Sequence, residues 1–311
     1  MQNTFLKLVL CSLSLLVSVS AHAGEKEREQ REKLRCPANP GKFEQIKKKA
    51  EASNPEAQTI LASCYDLGRN VKSNRKENIR WLTLAANQGY APAQSDLGHI
   101  YLYGSGIPSD YQQAFLWVEK AAQHGEAEAQ LDLGFMYEKG FGVEADPQQA
   151  MFWNRKAAVQ GERQAQLQLA KALEGQNRVE AMEWYEKAGR REMSEAQLRL
   201  AQMLFEKPNR NCKEAMVWYE RASGNGVAQA MYELGKIYQE GECVQRNSEM
   251  AYRWFQTGAR YGSQEARAEA EKSGSLLTQT NKKVIDLKIE KWASKHTGAD
   301  KYEDKEEKEE R

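Results

Sequence analysis

Apolar and small residues recur along this chain with two landmarks that keep a common phase. A leucine followed by a small residue recurs in steps of 36, 36, 36, 31 and 34 residues, at Leu61, Leu97, Leu133, Leu169, Leu200 and Leu234. A tryptophan recurs in steps of 36, 36, 31, 34 and 36 residues, at Trp81, Trp117, Trp153, Trp184, Trp218 and Trp254. Self-similarity at such a period is typical of stacked structural repeats, so the two landmarks predict six of them.

Two helices are predicted within each repeat. In the first, Ala93, Leu97 and Tyr101 follow one another at helical spacing, which places them on one face. The small residue after each leucine lets the second helix approach closely. In the second helix, Ala114 and Trp117 again have helical spacing.

The second helices are predicted to begin at N-capping residues, whose side chains accept hydrogen bonds from unpaired first-turn amides. These residues are Asn74, Asp110, Asp146, Asn177, Asn211 and Asn247. A Glu or Gln stands three residues after every cap except Asn247. This spacing predicts reciprocal capping boxes, in which that side chain bonds back to the amide of the cap.

Glycine pairs mark the turn between the two helices, at Gly104 and Gly106 in the second repeat and at Gly140 and Gly142 in the third. Together with the repeated Ala, Leu-Gly and Tyr positions, this pattern resembles the Sel1-like repeat (SLR) family, an α/α relative of the tetratricopeptide repeat (TPR), over residues 55–262. The resemblance implies an all-α superhelical solenoid of about six helix pairs, with capping helices that cover the N- and C-terminal ends.

The regions outside the repeats divide at changes of composition. Lys7 and the apolar stretch that follows it end at Ala21-His22-Ala23, which predicts a signal peptide over residues 1–23, cleaved after Ala23. Residues 24–54 are predicted to form a charged segment and a capping helix, residues 263–297 the C-terminal capping helices, and residues 298–311 a disordered charged tail. The buried face of the last helix is expected to carry Leu277, Val284, Ile285, Ile289 and Trp292.

Charge excludes one class of partner. The chain has 45 Lys and Arg against 44 Asp and Glu, a net charge of +1, and removal of Lys7 with the signal peptide makes it neutral. Nucleic-acid binding requires a basic face to meet the phosphates, so no nucleic-acid partner is expected.

Four cysteines remain after the predicted cleavage, an even number that favours disulfides in an exported protein. Cys212 begins the second helix of the fifth repeat, and Cys243 lies in the turn of the sixth. Because turns of adjacent repeats lie side by side in a stacked solenoid, we expect Cys212–Cys243, which leaves Cys36–Cys64. The alternative is four free buried thiols.

Candidate chemistry is sparse. His99 and His124 occupy positions at which the other repeats carry varied residues, and no metal-spaced His/Cys cluster occurs, so neither a metal nor a cofactor is expected. Ser73 and Lys76 match the Ser-x-x-Lys motif of penicillin-interacting enzymes, to which cysteine-rich members of the resembled family have been linked. The accompanying Ser-Asp-Asn and Lys-Thr-Gly elements are absent, so we expect no enzyme.

The first helices are the expected binding surface, because in TPR-type solenoids they line the concave groove. The residues expected to line it are Ser95, His99, Leu131, Phe135, Leu167, Lys171, Leu198, Gln202, Phe205, Tyr232, Lys236 and Gln239. An exposed apolar stripe is typical of a partner site. For the leucines, packing between neighbouring first helices explains the pattern equally well, whereas binding is favoured for Phe135, Phe205 and Tyr232.

The resemblance implies a protein partner and a role as adaptor, assembly factor or regulator. We expect a periplasmic, not membrane-inserted scaffold that docks a peptide or a domain of an envelope complex, for example a secretion machine or a membrane sensor. A secreted factor that binds host proteins is the first alternative, and a penicillin-interacting enzyme is the second.

Overall fold

The computed structural model describes residues 34–207 and 210–296, and within them it contains fifteen helices and no strand. The first eight are α1 (Pro40–Glu51), α2 (Pro55–Leu67), α3 (Arg75–Asn87), α4 (Ala91–Tyr103), α5 (Tyr111–Gln123), α6 (Ala127–Lys139), α7 (Pro147–Val159) and α8 (Arg163–Leu173). The others are α9 (Arg178–Arg190), α10 (Ser194–Phe205), α11 (Cys212–Gly224), α12 (Ala228–Glu240), α13 (Ser248–Arg260), α14 (Gln264–Ser275) and α15 (Gln279–His296). The predicted all-α fold is confirmed. The expected signal peptide and charged tail lie outside the described residues.

The helices form two compact units, one ending at Gln176 and one beginning at Asn177. In the first unit α2 packs on α3, α4 on α5 and α6 on α7, and each second helix also packs on the next first helix. In the second unit α10 packs on α11 and α12 on α13 in the same manner. The division falls between the two helices of the fourth repeat, the repeat that the 31-residue step shortens.

Glycine after the repeated leucine allows the two helices of a pair to touch. A Cβ added to Gly98 would lie 2.6 Å from Val118 Cγ2 and 2.9 Å from the Val118 main-chain nitrogen. A Cβ added to Gly134 would lie 2.5 Å from Asn154 Oδ1. The prediction that a small residue permits close approach is therefore confirmed, since any side chain at these positions would push the helices apart.

All six predicted N-caps accept a hydrogen bond from a first-turn amide of the second helix. The predicted capping box, however, is wrong at the caps of the first, second, third and fifth repeats, whose amides donate to carbonyls of the preceding first helix. The amide of Asn74 donates to the carbonyl of Tyr65 at 3.0 Å, and that of Asn211 donates to the carbonyl of Leu204 at 2.7 Å. The amide of Asp110 donates to the carbonyl of Tyr101 at 2.9 Å, and that of Asp146 donates to the carbonyl of Tyr137 at 2.9 Å. The cap thus bonds to the preceding first helix, which leaves no amide for the Glu or Gln three residues later.

Buried glutamines fix the first helices of the first five repeats against the helix before each of them, which is α1 for the first repeat and a second helix for the other four. Their side-chain amides lie 2.9 to 3.2 Å from main-chain carbonyls eight residues earlier, in the pairs Gln58–Ala50, Gln94–Ala86, Gln130–Ala122, Gln166–Ala158 and Gln197–Gly189. We call these contacts the glutamine staples. Each satisfies a carbonyl near the end of a helix, a position where intrahelical partners run out.

The turn of one repeat rests on the start of the second helix of the repeat before it. A Cβ on Gly106 would lie 2.9 Å from Arg75 Nε, and a Cβ on Gly142 would lie 2.1 Å from the Tyr111 carbonyl oxygen. In the sixth repeat Cys243 takes the position of this turn glycine and is bonded to Cys212, with Cα atoms 5.5 Å apart. The disulfide therefore occupies a contact that other repeats make without a covalent bond.

The N-terminal segment is joined to the first repeat by the Cys36–Cys64 disulfide, with Cα atoms 4.9 Å apart. Hydrogen bonds support this link, because Asn70 Nδ2 donates to the Pro37 carbonyl at 2.7 Å and Ser63 Oγ donates to the Leu34 carbonyl at 3.1 Å. Both cysteine pairs are thus the expected ones, Cys212–Cys243 from the register of the repeats and Cys36–Cys64 as the pair that this leaves.

The last helix, α15, covers the end of the second unit. Ile285 and Ile289 are buried, and the Trp292 ring lies edge-on to Trp254 at 6.1 Å. Val284 is 47 % exposed, contrary to its expected place on the buried face, because it lies one residue before Ile285 and turns away from the packed side. Within the described residues no helix is both long and apolar enough to cross a membrane.

Candidate protein-binding surface

All twelve residues expected to line the groove lie on first helices, namely α4, α6 and α8 in the first unit and α10 and α12 in the second. The twelve side chains differ in how far they are exposed to solvent. His99 and Lys171 are exposed, whereas Ser95 and Leu167 are only 3 % and 1 % exposed. The expectation that Ser95 forms surface is wrong, because neighbouring first helices pack side by side, as α4 and α6 do, and cover positions between them. For Leu167, burial agrees with packing between first helices, one of the two explanations that the sequence left open. The others are half-buried.

The first unit carries a continuous row of rings, which we call the aromatic face: His99, Tyr103, Tyr111, Phe135 and Phe141. The His99 and Tyr103 ring centroids are 4.4 Å apart, Tyr103 and Phe135 stack at 6.4 Å, and Phe135 meets Phe141 edge-on at 5.7 Å. Phe141 stacks on Tyr111 at 4.3 Å. Tyr103 is 51 % and Tyr111 38 % exposed, so the row is open to a partner.

Three members of the aromatic face were not anticipated from the sequence. Tyr103 follows His99 by four residues and therefore shares its side of α4. Phe141 lies between the turn glycines of the third repeat, and Tyr111 begins α5. Only Tyr103 could have been found from the spacing of residues within one helix. Phe141 and Tyr111 come together because one repeat packs on the next.

A buried carboxylate holds the edge of the aromatic face in place. The side chain of Asp132 is 8 % exposed, and its Oδ2 lies 3.2 Å from His99 Nδ1. Tyr103 Oη donates to Asp132 Oδ1 at 2.9 Å. The hydrogen bond with Asp132 raises the pKa of His99 despite partial burial, and burial together with Asp132 raises the pKa of the Tyr103 hydroxyl. Both rings are thus fixed by one acid from the next repeat.

A cavity of about 360 Å³ opens beside His99 between the first three repeats. Its lining includes Asp66, Arg75, Asp96, Glu128 and His99. Arg75 forms an ion pair with Asp66 at 2.9 Å. The lining thus includes three carboxylates and one guanidinium, and His99 is the member of the aromatic face that it contains.

In the second unit the expected aromatic residues are tied into packing. The Arg210 guanidinium lies 4.1 Å above the Phe205 ring, and the Phe205 ring meets the buried Tyr219 edge-on at 6.3 Å. The ring centroids of Tyr232 and Phe255 are 5.8 Å apart, and Lys236 Nζ lies 5.8 Å from the Tyr232 ring centroid. These rings are therefore less available than those of the aromatic face.

The polar residues expected in the second unit also have partners. Gln239 Nε2 donates to Glu269 Oε2 at 3.2 Å, and Gln202 Oε1 accepts from Arg199 at 3.3 Å. Leu198 is half-buried. The second unit thus presents a mixed polar surface rather than a row of open rings.

Ser73 and Lys76, the two residues of the Ser-x-x-Lys match, are both exposed at the start of α3. Ser73 Oγ donates to the Asp66 carbonyl at 3.4 Å, and Lys76 is an exposed residue of the first turn of α3. Within the described residues no group of three or more His, Cys, Asp or Glu is arranged to hold a metal ion.

Comparison with protein families places the chain. The Sel1 repeat model matches six consecutive segments, residues 55–90, 91–126, 127–162, 163–192, 194–227 and 228–263. The chain belongs to the Sel1 repeat family. Sel1-repeat proteins generally serve as protein-interaction scaffolds and are typically not enzymes. A comparison with curated proteins finds no match.

Two solved Sel1-repeat structures show the same fold. One is c5321, described as a protective antigen of uropathogenic Escherichia coli with an SLR fold, which is 26 % identical with a TM-score of 0.70 and covers 83 % of this chain. This chain spans 57 % of the length of c5321. The other is a Sel1 repeat protein from Oxalobacter formigenes, 30 % identical with a TM-score of 0.54, over 68 % of this chain and 88 % of that one.

Proposed function

We propose that this Sel1-repeat chain is a periplasmic scaffold that docks a peptide or a domain of an envelope complex on its first helices. The expected partner is a membrane-bound secretion machine or a membrane sensor. The observation that carries the proposal is the aromatic face. Exposed rings held in one orientation, as Tyr103 and His99 are by Asp132, bind a partner at low cost in conformational entropy.

Phe135 is the residue on which the proposal is best tested, because it lies in the middle of the aromatic face. Phe152, 49 % exposed on α7 in the same repeat, is a matched control outside the face. We expect Phe135→Glu to abolish capture of partners from a periplasmic extract and Phe152→Glu to leave capture intact, with both variants checked for folding by circular dichroism. Equal capture by both variants would contradict docking on the aromatic face.

Export is the second part of the proposal. A signal peptide over residues 1–23 would deliver the chain to the periplasm, an oxidising compartment where disulfides such as Cys36–Cys64 and Cys212–Cys243 form. Cell fractionation with an antibody against the chain tests this. We expect the mature protein in the periplasmic fraction, starting after Ala23, and retention of full-length protein in the cytoplasm would refute export.

A secreted factor that binds host proteins is a second candidate. The observation that favours it is the likeness to c5321, a protective antigen of uropathogenic Escherichia coli. The same fractionation separates the two candidates, because release of most of the mature protein into the culture medium supports the host-binding factor and retention supports the periplasmic scaffold.

A further inference from the structure

The two disulfides of the chain differ in how far they are open to solvent. Cys36 and Cys64 are 2 % and 0 % exposed, and both lie among the buried residues of the first repeat and the segment before it. Cys212 and Cys243 are only half-buried. Thiol–disulfide exchange requires a thiolate to reach a disulfide sulfur, so access favours the second disulfide as the site of reaction.

The two sulfurs of the half-buried disulfide have different surroundings. Cys212 is the first residue of α11, and a helix N-terminus stabilises a negative charge on a nearby sulfur. Cys243 lies in the turn between α12 and α13, outside any helix. Because the thiol that better bears a negative charge leaves faster, attack at Cys243 with Cys212 as the leaving group is the favoured direction.

The acidic residues beside this disulfide are already paired. Glu242, in the α12–α13 turn, forms ion pairs with Arg210 and, at 4.0 Å, with Lys207. The Glu214 carboxylate, in the first turn of α11, accepts a hydrogen bond from Asn211 Nδ2 at 2.8 Å. Both acids are thus partly compensated, which leaves the helix N-terminus to decide which sulfur bears a negative charge more readily.

The contact that this disulfide bridges exists elsewhere in the chain without a covalent bond. In the third repeat the turn residue Gly142 rests on Tyr111, the first residue of α5. In the sixth repeat the ion pair between Arg210 and Glu242 also joins the start of α11 to the α12–α13 turn. The two segments therefore have reason to stay together when the disulfide is broken, so its reduction does not require unfolding.

From these observations we propose that Cys212–Cys243 is a site of reversible reduction by a protein dithiol, whereas Cys36–Cys64 stays oxidised under the same conditions. A thiolate of the dithiol attacks Cys243 Sγ, forms a mixed disulfide and releases the Cys212 thiolate, which takes up a proton. The second thiol of the reductant, as a thiolate, then attacks the reductant's sulfur in the mixed disulfide and expels the Cys243 thiolate, which is also protonated. The reductant loses two electrons and becomes a disulfide, and the chain gains two thiols.

Reduction acts within the second unit, because Cys212 and Cys243 both belong to it. It removes the covalent link between the start of α11 and the α12–α13 turn, and with it the restriction that the disulfide places on the unfolded chain. The stability of the second unit thereby depends on the thiol reductants around it. Docking on the aromatic face, which lies in the first unit, is a separate property and does not enter this proposal.

The test follows the reduction of each disulfide in the oxidised full chain with time. The chain is incubated with dithiothreitol, samples are quenched with N-ethylmaleimide, and peptide mass spectrometry measures labelling at each cysteine. We expect Cys212 and Cys243 to be labelled at least about tenfold faster than Cys36 and Cys64, which serve as the control within the same molecule. Equal rates, or faster labelling of Cys36 and Cys64, would overturn the proposal.

The direction of attack is tested with glutathione in place of dithiothreitol. A rapid acid quench traps the mixed disulfide, and peptide mass spectrometry locates the glutathione. We expect it on Cys243, since Cys212 is the leaving group. Glutathione mainly on Cys212 would refute the assigned direction of attack.

Unfolding of the second unit would also expose this disulfide, and urea separates that route from attack on the folded chain. Below the unfolding transition, direct attack predicts a rate at Cys212–Cys243 that changes less than about twofold on addition of about 1 M urea, whereas reduction through unfolding would accelerate about fivefold or more. The circular dichroism of the chain reduced only at this disulfide should match that of the oxidised chain. A steep urea dependence, or a loss of helix on reduction, would overturn the proposal.

Discussion

At the scale of single residues, the side-chain oxygen of a staple glutamine can accept a second hydrogen bond, from the residue that follows the second helix of its own repeat. Gln88 Nε2 donates to Gln58 Oε1 at 2.8 Å, and Gln160 Nε2 donates to Gln130 Oε1 at 2.8 Å. In the second repeat His124 stands at the position of Gln88 and Gln160, and its Nδ1 lies 2.7 Å from the Lys120 carbonyl oxygen instead. As a result the buried Oε1 of Gln94 has no hydrogen-bond partner.

Replacing His124 by glutamine should therefore stabilise the chain. A glutamine supplies the donor that Gln94 lacks, and one such hydrogen bond contributes about 0.5–1.5 kcal/mol to the free energy of unfolding. We expect His124→Gln to raise the urea midpoint and Gln160→His, the reverse change, to lower it by a similar amount. A His124→Gln variant no more stable than the parent would show that the staple does not depend on this link.

His99 should make stability depend on pH. Its folded-state pKa is raised above the ordinary histidine value of 6.5, with the hydrogen bond to Asp132 the main cause and Glu128 and Asp96 as further contributors. A raised pKa means that the imidazolium is favoured in the folded state, so its stabilisation is full below about pH 6.5 and disappears as pH rises through the folded pKa.

The corresponding measurement compares urea unfolding of the parent and His99→Gln across this range. The stability advantage of the parent is expected to be largest below about pH 6.5 and to shrink in alkaline buffer. A difference that stays constant with pH would contradict a folded-state ion pair between His99 and Asp132.

At the scale of elements, the contact between paired helices depends on Gly98. A Cβ there would meet the main chain of Val118, which cannot rotate away as a side-chain tip can. Overpacking of this kind costs about 1–3 kcal/mol, more than the roughly 0.5–1 kcal/mol that alanine gains over glycine within a helix.

Gly98→Ala should thus lower the free energy of unfolding by about 1 kcal/mol. Gly175→Ala is the control, because a Cβ added to Gly175 would meet nothing within 4 Å. Thermal or urea unfolding of both variants is the measurement. Equal stabilities of Gly98→Ala and the parent would mean that α4 and α5 separate without cost.

The elements also show what a sequence pattern can and cannot reveal. The caps were predictable because Asp110 and its equivalents act on amides of their own helix, two or three residues away. The capping box was not, because the amide of Asp110 bonds to Tyr101, a partner in another helix. Phe135 was anticipated from its repeat position, whereas the bonds of Asp132 to His99 and Tyr103 join residues 33 and 29 positions apart and arise only when repeats stack.

The same distinction explains why the burial of Ser95 was not expected and why the sequence left that of Leu167 open. Repeat position places both on first helices, as expected, but it does not say how closely the neighbouring first helix approaches. Burial of 97 % and more at these residues depends on that approach, and hence on tertiary packing rather than on helical phase.

At the scale of the whole molecule, the two disulfides link parts of the chain about 30 residues apart and are compatible with an extracytoplasmic location. Cys212–Cys243 replaces a turn contact that glycine makes in the first unit. Its main effect is to restrict the unfolded chain.

Removing this disulfide with Cys212→Ser and Cys243→Ser should lower the free energy of unfolding by about 2–4 kcal/mol in oxidising buffer. In dithiothreitol the variant and the parent should unfold at nearly the same denaturant concentration, since both then lack the bond. If the difference persists after full reduction, the serines themselves, rather than the lost cross-link, are responsible.

Binding of a partner on the aromatic face of the first unit is best tested by photo-crosslinking in living cells with p-benzoylphenylalanine at Phe135, compared with the same probe at Phe152. Mass spectrometry identifies the crosslinked peptides. We expect one recurrent protein partner from Phe135 that is absent from Phe152. Crosslinks from Phe152 to the same partner, with none from Phe135, would refute binding on the aromatic face.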